Sequence, residues 1–99
     1  MAKTIQPTTI KKISRILMVL KTAEGEIHLS GIAKALNMKP MTVSRIIDNY
    51  LDFFVETRNI EIYGFKARLI KLKEGKKDIT LKDVLDYLEV KKRIRGTPG

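Results

Sequence analysis

The sequence predicts an α+β fold, mainly α, in which three helices lead into a two-stranded hairpin and a further helix closes the chain. Three observations carry that prediction. Apolar residues recur at helical spacing in separate stretches, as in Ile10, Ile13, Ile16, Leu17 and Leu20. Between residues 54 and 72 the pattern changes to β-branched and aromatic residues on either side of Tyr63-Gly64. The length of 99 residues and the hydrophobic fraction of 43% suit one small core, not two cores or a deep enclosed site.

Taken in order, residues 1–7 read as a polar leader ending at Pro7, and a first helix follows with Thr8 or Thr9 as its cap. Gly25 is a candidate left-handed stop after it. Residues 26–29 alternate enough for a very short strand. Ser30 is the expected N-cap of a second helix, Gly31 to Leu36, with Ile32, Ala33 and Leu36 inward. Asn37 stands where a left-handed residue is needed, and Asn tolerates that conformation. Pro40 suits the first turn of a third helix because its missing N–H has no partner there. That helix is expected to run to about Asp52. Its buried stripe is Val43, Ile46, Ile47, Tyr50 and Leu51, with Thr42, Arg45, Asp48, Asn49 and Asp52 outward. Strands are expected over 54–62 and 65–72. Thr80 then caps a fourth helix, with Asp83 completing a capping box. Residues 1–78 form the predicted main unit, 79–95 the last helix and 96–99 a flexible tail.

Charge narrows the classes of partner. Twenty Lys and Arg stand against 11 Asp and Glu, a formal charge of +9, and so large a field on a small body favours a polyanion. There is no Cys, which excludes disulfides and thiolate metal sites and leans toward the cytoplasm, and the N-terminus lacks the apolar core of a secretory signal. The apolar runs are far too short to span a bilayer. A single His, with no clustered His, Asp and Glu and no phosphate-cradling glycine loop, gives no enzyme, metal or cofactor reading. There is no room for a dedicated small-molecule effector domain.

The stretch LNMKPMTVSRIIDNYLDFFVE carries a family pattern. Together with the order helix, short strand, helix, turn, helix, hairpin, it resembles the winged helix-turn-helix domain of small prokaryotic and archaeal-type transcription regulators. The resemblance spans about residues 10–72. Regulators of that family often carry L-G-I-S-K-S-T-V-S-R, and Leu36, Met38, Thr42, Val43, Ser44 and Arg45 fit it. Asn37 replaces the usual Gly, and Lys39 the usual Ser or Thr cap. Phe53-Phe54-Val55 stands where many relatives have Gly-Leu-Val, so the glycine of that turn is missing. The resemblance implies a three-helix core, a two-stranded wing and binding of double-stranded DNA.

In such a domain the third helix lies in the major groove. Arg45 is then the candidate to read guanine, with Thr42 and Ser44 offering hydroxyls, Met41 touching a thymine methyl, Lys39 meeting phosphate and Asn49 reading adenine. Arg45 can instead pair with Asp48 or Asp52 on a solvated face, and Met41 can be a core filler. On the wing, Lys66 and Arg68 alternate along the return strand and point one way, and Arg58 can join them from the other strand. Tyr63 and Phe65 either pack under the wing or stack on the DNA backbone. Phosphate contacts from Lys39, Arg45, Lys66 and Arg68 would give a salt slope of about −3.6 per protomer. Leu81, Val84, Leu85 and Leu88 make a stripe that either pairs with a second copy, giving a homodimer, or covers the chain's own core. The KKRIR run at 91–95 adds phosphate affinity or only solubility.

The function expected is a sequence-specific, cytoplasmic, nucleoid-associated regulator of transcription acting as a homodimer. The alternatives are a nucleoid architectural protein of low specificity and a winged-helix protein-interaction module of the transcription machinery.

Overall fold

A computed structural model describes residues 5–96, with side chains through Lys91. The first helix, α1, runs Pro7–Thr22. Pro7 itself opens it, with Gln6 extended before it and no side-chain cap. Thr8 and Thr9 therefore lie inside the first turn and do not cap it: a proline whose φ is already helical sets the start two or three residues earlier. Ile13, Ile16, Leu17 and Leu20 bury one face. Gly25, at φ +97°, follows the helix end and does not form it; the cap residue Ala23 is extended.

A two-residue strand, β1 (Ile27–His28), leads directly into α2 (Leu29–Leu36). The cap is His28, without a side-chain bond, so Ser30 is a first-turn residue and not the cap. The cause is β1's pairing with a later strand, which fixes His28 as the last extended residue. At the other end Asn37 is left-handed, at φ 55° and ψ 47°. The N–H of Met38 donates to the Ala33 carbonyl at 2.8 Å and that of Asn37 to the Lys34 carbonyl at 3.3 Å, a Schellman closure. From α1, Arg15 Nη2 donates to the Leu36 carbonyl at 3.1 Å, satisfying another of the acceptors that a helix end leaves open.

Pro40 is the first residue of α3 (Pro40–Ile46). Regular α geometry stops at Ile46, short of the expected Asp52. A π turn, Ile47–Leu51, and a 3-10 turn, Asp52–Phe54, carry the helical path onward. The wider turn takes in one extra residue, and Ile47, Leu51 and Phe54 all reach the core while Asp48, Asn49 and Asp52 stay outside. Tyr50 is half-buried. The passage into the next strand is right-handed throughout, which is why no glycine is needed at Phe53-Phe54-Val55.

Strands β2 (Val55–Ile62) and β3 (Phe65–Leu72) form an antiparallel hairpin, and β1 adds to the far side of β3, giving the order β1-β3-β2. Val55 pairs with Leu72 and Thr57 with Ile70, so the face holding Val55, Ile70 and Leu72 closes over the helices. The last helix, α4 (Leu81–Gly96), begins with the expected box. The Thr80 N–H donates to Asp83 Oδ2 at 2.9 Å, and the Asp83 N–H to Thr80 Oγ1 at 3.2 Å. The first of these bonds holds the Asp83 carboxyl below its ordinary value.

One core joins α1, α2, α3, the two turns, the inner sheet face and α4. Val84 is completely buried in it, and Leu81, Tyr87 and Leu88 pack against it. The predicted dimer stripe is thus largely the chain's own covering. Leu85 is half-buried and lies outside that cluster. Phe53 stacks on Tyr87 with ring centroids 4.2 Å apart, Phe54 meets Tyr87 edge-on at 5.3 Å, and Lys21 Nζ donates to the Ile79 carbonyl at 2.7 Å. Among the described residues no helix is long and apolar enough to cross a membrane. Residues 97–99 of the expected tail, the polar leader up to Thr4, and the side chains of the basic run after Lys91 lie outside the described residues; Gly96 is the end of α4.

Leu51 is fully buried where the π turn meets the core. Leu51→Ala is expected to lower the unfolding free energy by about 2–5 kcal/mol, read from urea denaturation midpoints.

Candidate nucleic-acid interface

The three-residue connection Asn37-Met38-Lys39 sets α3 against α2, and Val43 and Ile46 face inward from it. Helical periodicity then fixes what faces out. Lys39, extended just before Pro40, is exposed. Met41 is 71% exposed, so it is a surface residue and not a core filler. Thr42 and Ser44 are half-buried at the edges of the outer face, and Arg45 and Asn49 are exposed. Among the described residues the Arg45 guanidinium has no carboxylate within salt-bridge distance: Asp48, one of its two candidate partners, is held elsewhere.

Asp48 is held by Arg68. From β3, Arg68 Nη2 donates to Asp48 Oδ1 at 2.6 Å, and Nη1 donates to Ser44 Oγ at 2.8 Å. The Arg68 side chain is only 20% exposed against 53% for Asp48. Charge-assisted bonds of this length are the stronger kind, and here they tie the hairpin to the outer edge of α3. The tie also offsets the charge of Asp48, a carboxylate on this face that would repel an anion. Ser44 and Arg68, both expected to touch DNA directly, are hydrogen-bonded to each other.

Lys66 and Arg68 do share a face of β3, as their spacing predicts. Lys66 lies opposite Glu61, and Arg68 opposite Asn59, on the side that continues into the buried Ile70 and Leu72. Lys66 is exposed. Arg58 does not join them. It pairs with Leu69, which puts it on the opposite face of the sheet. There its guanidinium makes a two-pronged contact with Glu26, at 2.6 and 2.8 Å. The hydrogen bond from Arg58 holds the Glu26 carboxyl below the ordinary carboxylate value. Because side-chain period is two, parity in the hairpin register decides the matter: with Ile62 opposite Phe65 across the expected Tyr63-Gly64 turn, Arg58 falls opposite Leu69.

Two features were missed in the sequence. Arg15 as a clamp on α2 left no signal, since its partner is a backbone carbonyl 21 residues away. The Asp48–Arg68 pair had one: an acidic residue on the outward face of a basic chain calls for a compensating cation. At the hairpin tip Tyr63 and Phe65 are 96% and 80% exposed, which rules out the first of their two expected placements, packing under the wing.

What the site assembles is an outer face of Lys39, Met41, Thr42, Arg45 and Asn49, with Lys66 on a hairpin braced against it. Chemically it can accept an anionic surface and offer donors and one thioether to a groove.

Arg68→Ala is expected to cost about 1 kcal/mol of folding stability, because it leaves Asp48 and Ser44 without their partner; urea denaturation measures it. The lowered Glu26 value means that its contribution is present above the unfolded carboxylate pKa and is lost as pH falls through the folded one. Arg58→Gln should therefore return Glu26 upward in an NMR titration and flatten the stability profile in acid. Comparison of the chain with protein-family models gave no match, and comparison with curated proteins gave none either.

Proposed function

We propose that this chain is a winged helix-turn-helix protein that binds double-stranded DNA sequence-specifically and regulates transcription. The observation that carries the reading is the outer face of α3, where Arg45 stands exposed and without an acidic partner among the described residues, on a chain of net charge +9. An α-helix fits the major groove, where all four base pairs are distinguishable. Arg45 reads guanine through O6 and N7. Met41 meets a thymine methyl, Thr42 and Asn49 supply hydrogen bonds, and Lys39 meets phosphate at the front of the helix. Lys66 meets phosphate from the wing. Arg68 acts as a strut that sets the angle between wing and recognition helix, with Ser44 and Asp48 as its footing. A site whose parts are positioned before binding loses less freedom on binding.

The reading includes two copies on a two-fold site, because a single module of this size meets too few base pairs for regulatory specificity. Of the predicted stripe, Leu85 is the residue outside the core cluster and the one suited to such a contact. The reading is of a binding module and not an enzyme.

Selection of bound fragments from genomic DNA supplies a target, and a gel shift with specific and random competitors then measures the ratio. A large ratio supports a regulator. A ratio near one indicates a coating protein, and no binding at physiological salt sinks the DNA reading. With Arg68 engaged in the protein, Lys39, Arg45 and Lys66 give about three phosphate-proximal charges and a salt slope of about −2.7 per protomer. Arg45→Ala is expected to weaken the selected site by about tenfold and to relax preference at one base pair. Lys66→Ala should weaken all duplexes alike and reduce the slope by about 0.9.

A further inference from the structure

The hairpin ends in two residues, Tyr63 and Gly64, between the paired Ile62 and Phe65. Both have positive φ, 51° and 81°. Two such residues closing a hairpin make a type I′ turn, whose first position favours Asn, Asp or Gly. A tyrosine there sits in a region that bulky L side chains avoid. The fold returns nothing for it: the side chain is 96% exposed, with no hydrogen bond or ring contact to any described residue. Strain of this kind, held at an exposed apex, marks a position where the side chain matters more than the turn.

The surroundings supply the rest. Ile62 pairs with Phe65 and Ile60 with Ala67, so these four share the face turned away from the core. Phe65 and Ile62 are largely exposed. The apex aromatic therefore stands on a stiff apolar ribbon. The ribbon's reach is set by Arg68, which is tied to Ser44 and Asp48 beside α3. Phe65 lies three residues further out along β3, about 10 Å at the rise of an extended strand. Lys66 is next to it on the other face. An aromatic tip beside an ammonium, on a chain of charge +9, suits a partner that is anionic outside and stacked with planar rings inside.

We infer that the hairpin tip is a wedge: Tyr63, backed by Phe65, enters the minor groove of duplex DNA, opens a base step and bends the helix. The inference rests on the DNA-binding reading above and adds where the DNA is deformed and by which residue. Apolar and aromatic side chains inserted between base steps partly unstack them and kink the duplex toward the major groove. Pyrimidine–purine steps yield most readily, so the wedge adds a preference for such a step at a position that α3 does not touch.

The test uses the full chain and a duplex of about 30 base pairs with a central TA step and a dye at each end, so that energy transfer reports bending. The wild type should shorten the end-to-end distance. Tyr63→Asn creates the favoured Asn-Gly turn, so its urea midpoint should rise while duplex affinity falls about tenfold and the bend is lost. Its salt slope should stay at the wild-type value, because no charge is removed. Tyr63→Phe should keep both affinity and bend. Lys66→Ala should reduce the salt slope but leave the bend of the bound duplex intact. If Tyr63→Asn binds and bends as the wild type does, the wedge is wrong and the DNA reading stands. If the wild type binds no duplex, both are wrong. If Tyr63→Asn leaves the DNA behaviour unchanged but abolishes self-association, the tip is a protein contact and the wedge is overturned.

Discussion

A single apolar core is the constraint on which everything else in this molecule depends. The chain has no Cys to cross-link, and its net charge works against compactness. Apolar burial must supply the cohesion, and the described residues gather it in one cluster to which all four helices and the inner sheet face contribute. With so little material, each element has one face to give. That is why α4 turns Leu81, Val84 and Leu88 onto its own chain, with Tyr87 stacked on Phe53, and why the outer face of α3 is left mainly to polar and charged residues, Met41 apart.

Within that economy the directional interactions act as braces. Arg15 closes the end of α2 and Lys21 holds the segment before α4. Arg68 joins the sheet to α3, and Arg58 joins β2 to Glu26 beside β1. None of these contributes much free energy on its own, since most lie at the surface. Their effect is geometric: they choose one arrangement of elements that burial alone would leave loosely defined. In the proposed DNA complex, the strut from Arg68 would set the two contacting elements at a fixed separation.

Much of the fold was legible because local rules and the core agreed. Pro40, the left-handed Asn37 and the Thr80–Asp83 box each announce a helix boundary through their own chemistry, and the structure has a boundary at each. The strands fell within one residue of their expected limits because the apolar and aromatic pattern is dense there. What was not legible needed tertiary information. The caps at Gln6 and His28 lack side-chain bonds, so they carry no signature. The inward turn of Val84 depends on where α4 docks. Of the candidate contacts, exposure of Lys39, Arg45 and Lys66 follows from periodicity alone. The mutual engagement of Ser44 and Arg68 does not, because 24 residues separate them and only the folded hairpin brings them together.

The π turn between α3 and β2 has a consequence for how this chain can vary. In a regular helix each residue advances the path by about 100°, so the number of residues between Ile46 and Val55 acts as a phase. The widened turn at Ile47–Leu51 holds one residue more than a regular helix would. Losing that residue would let the segment relax to ordinary geometry with Phe54 and Val55 still in phase, whereas a deletion within the regular turns of α3 would rotate them by about 100°. The π turn is therefore the place along this path where a one-residue deletion should be tolerated best.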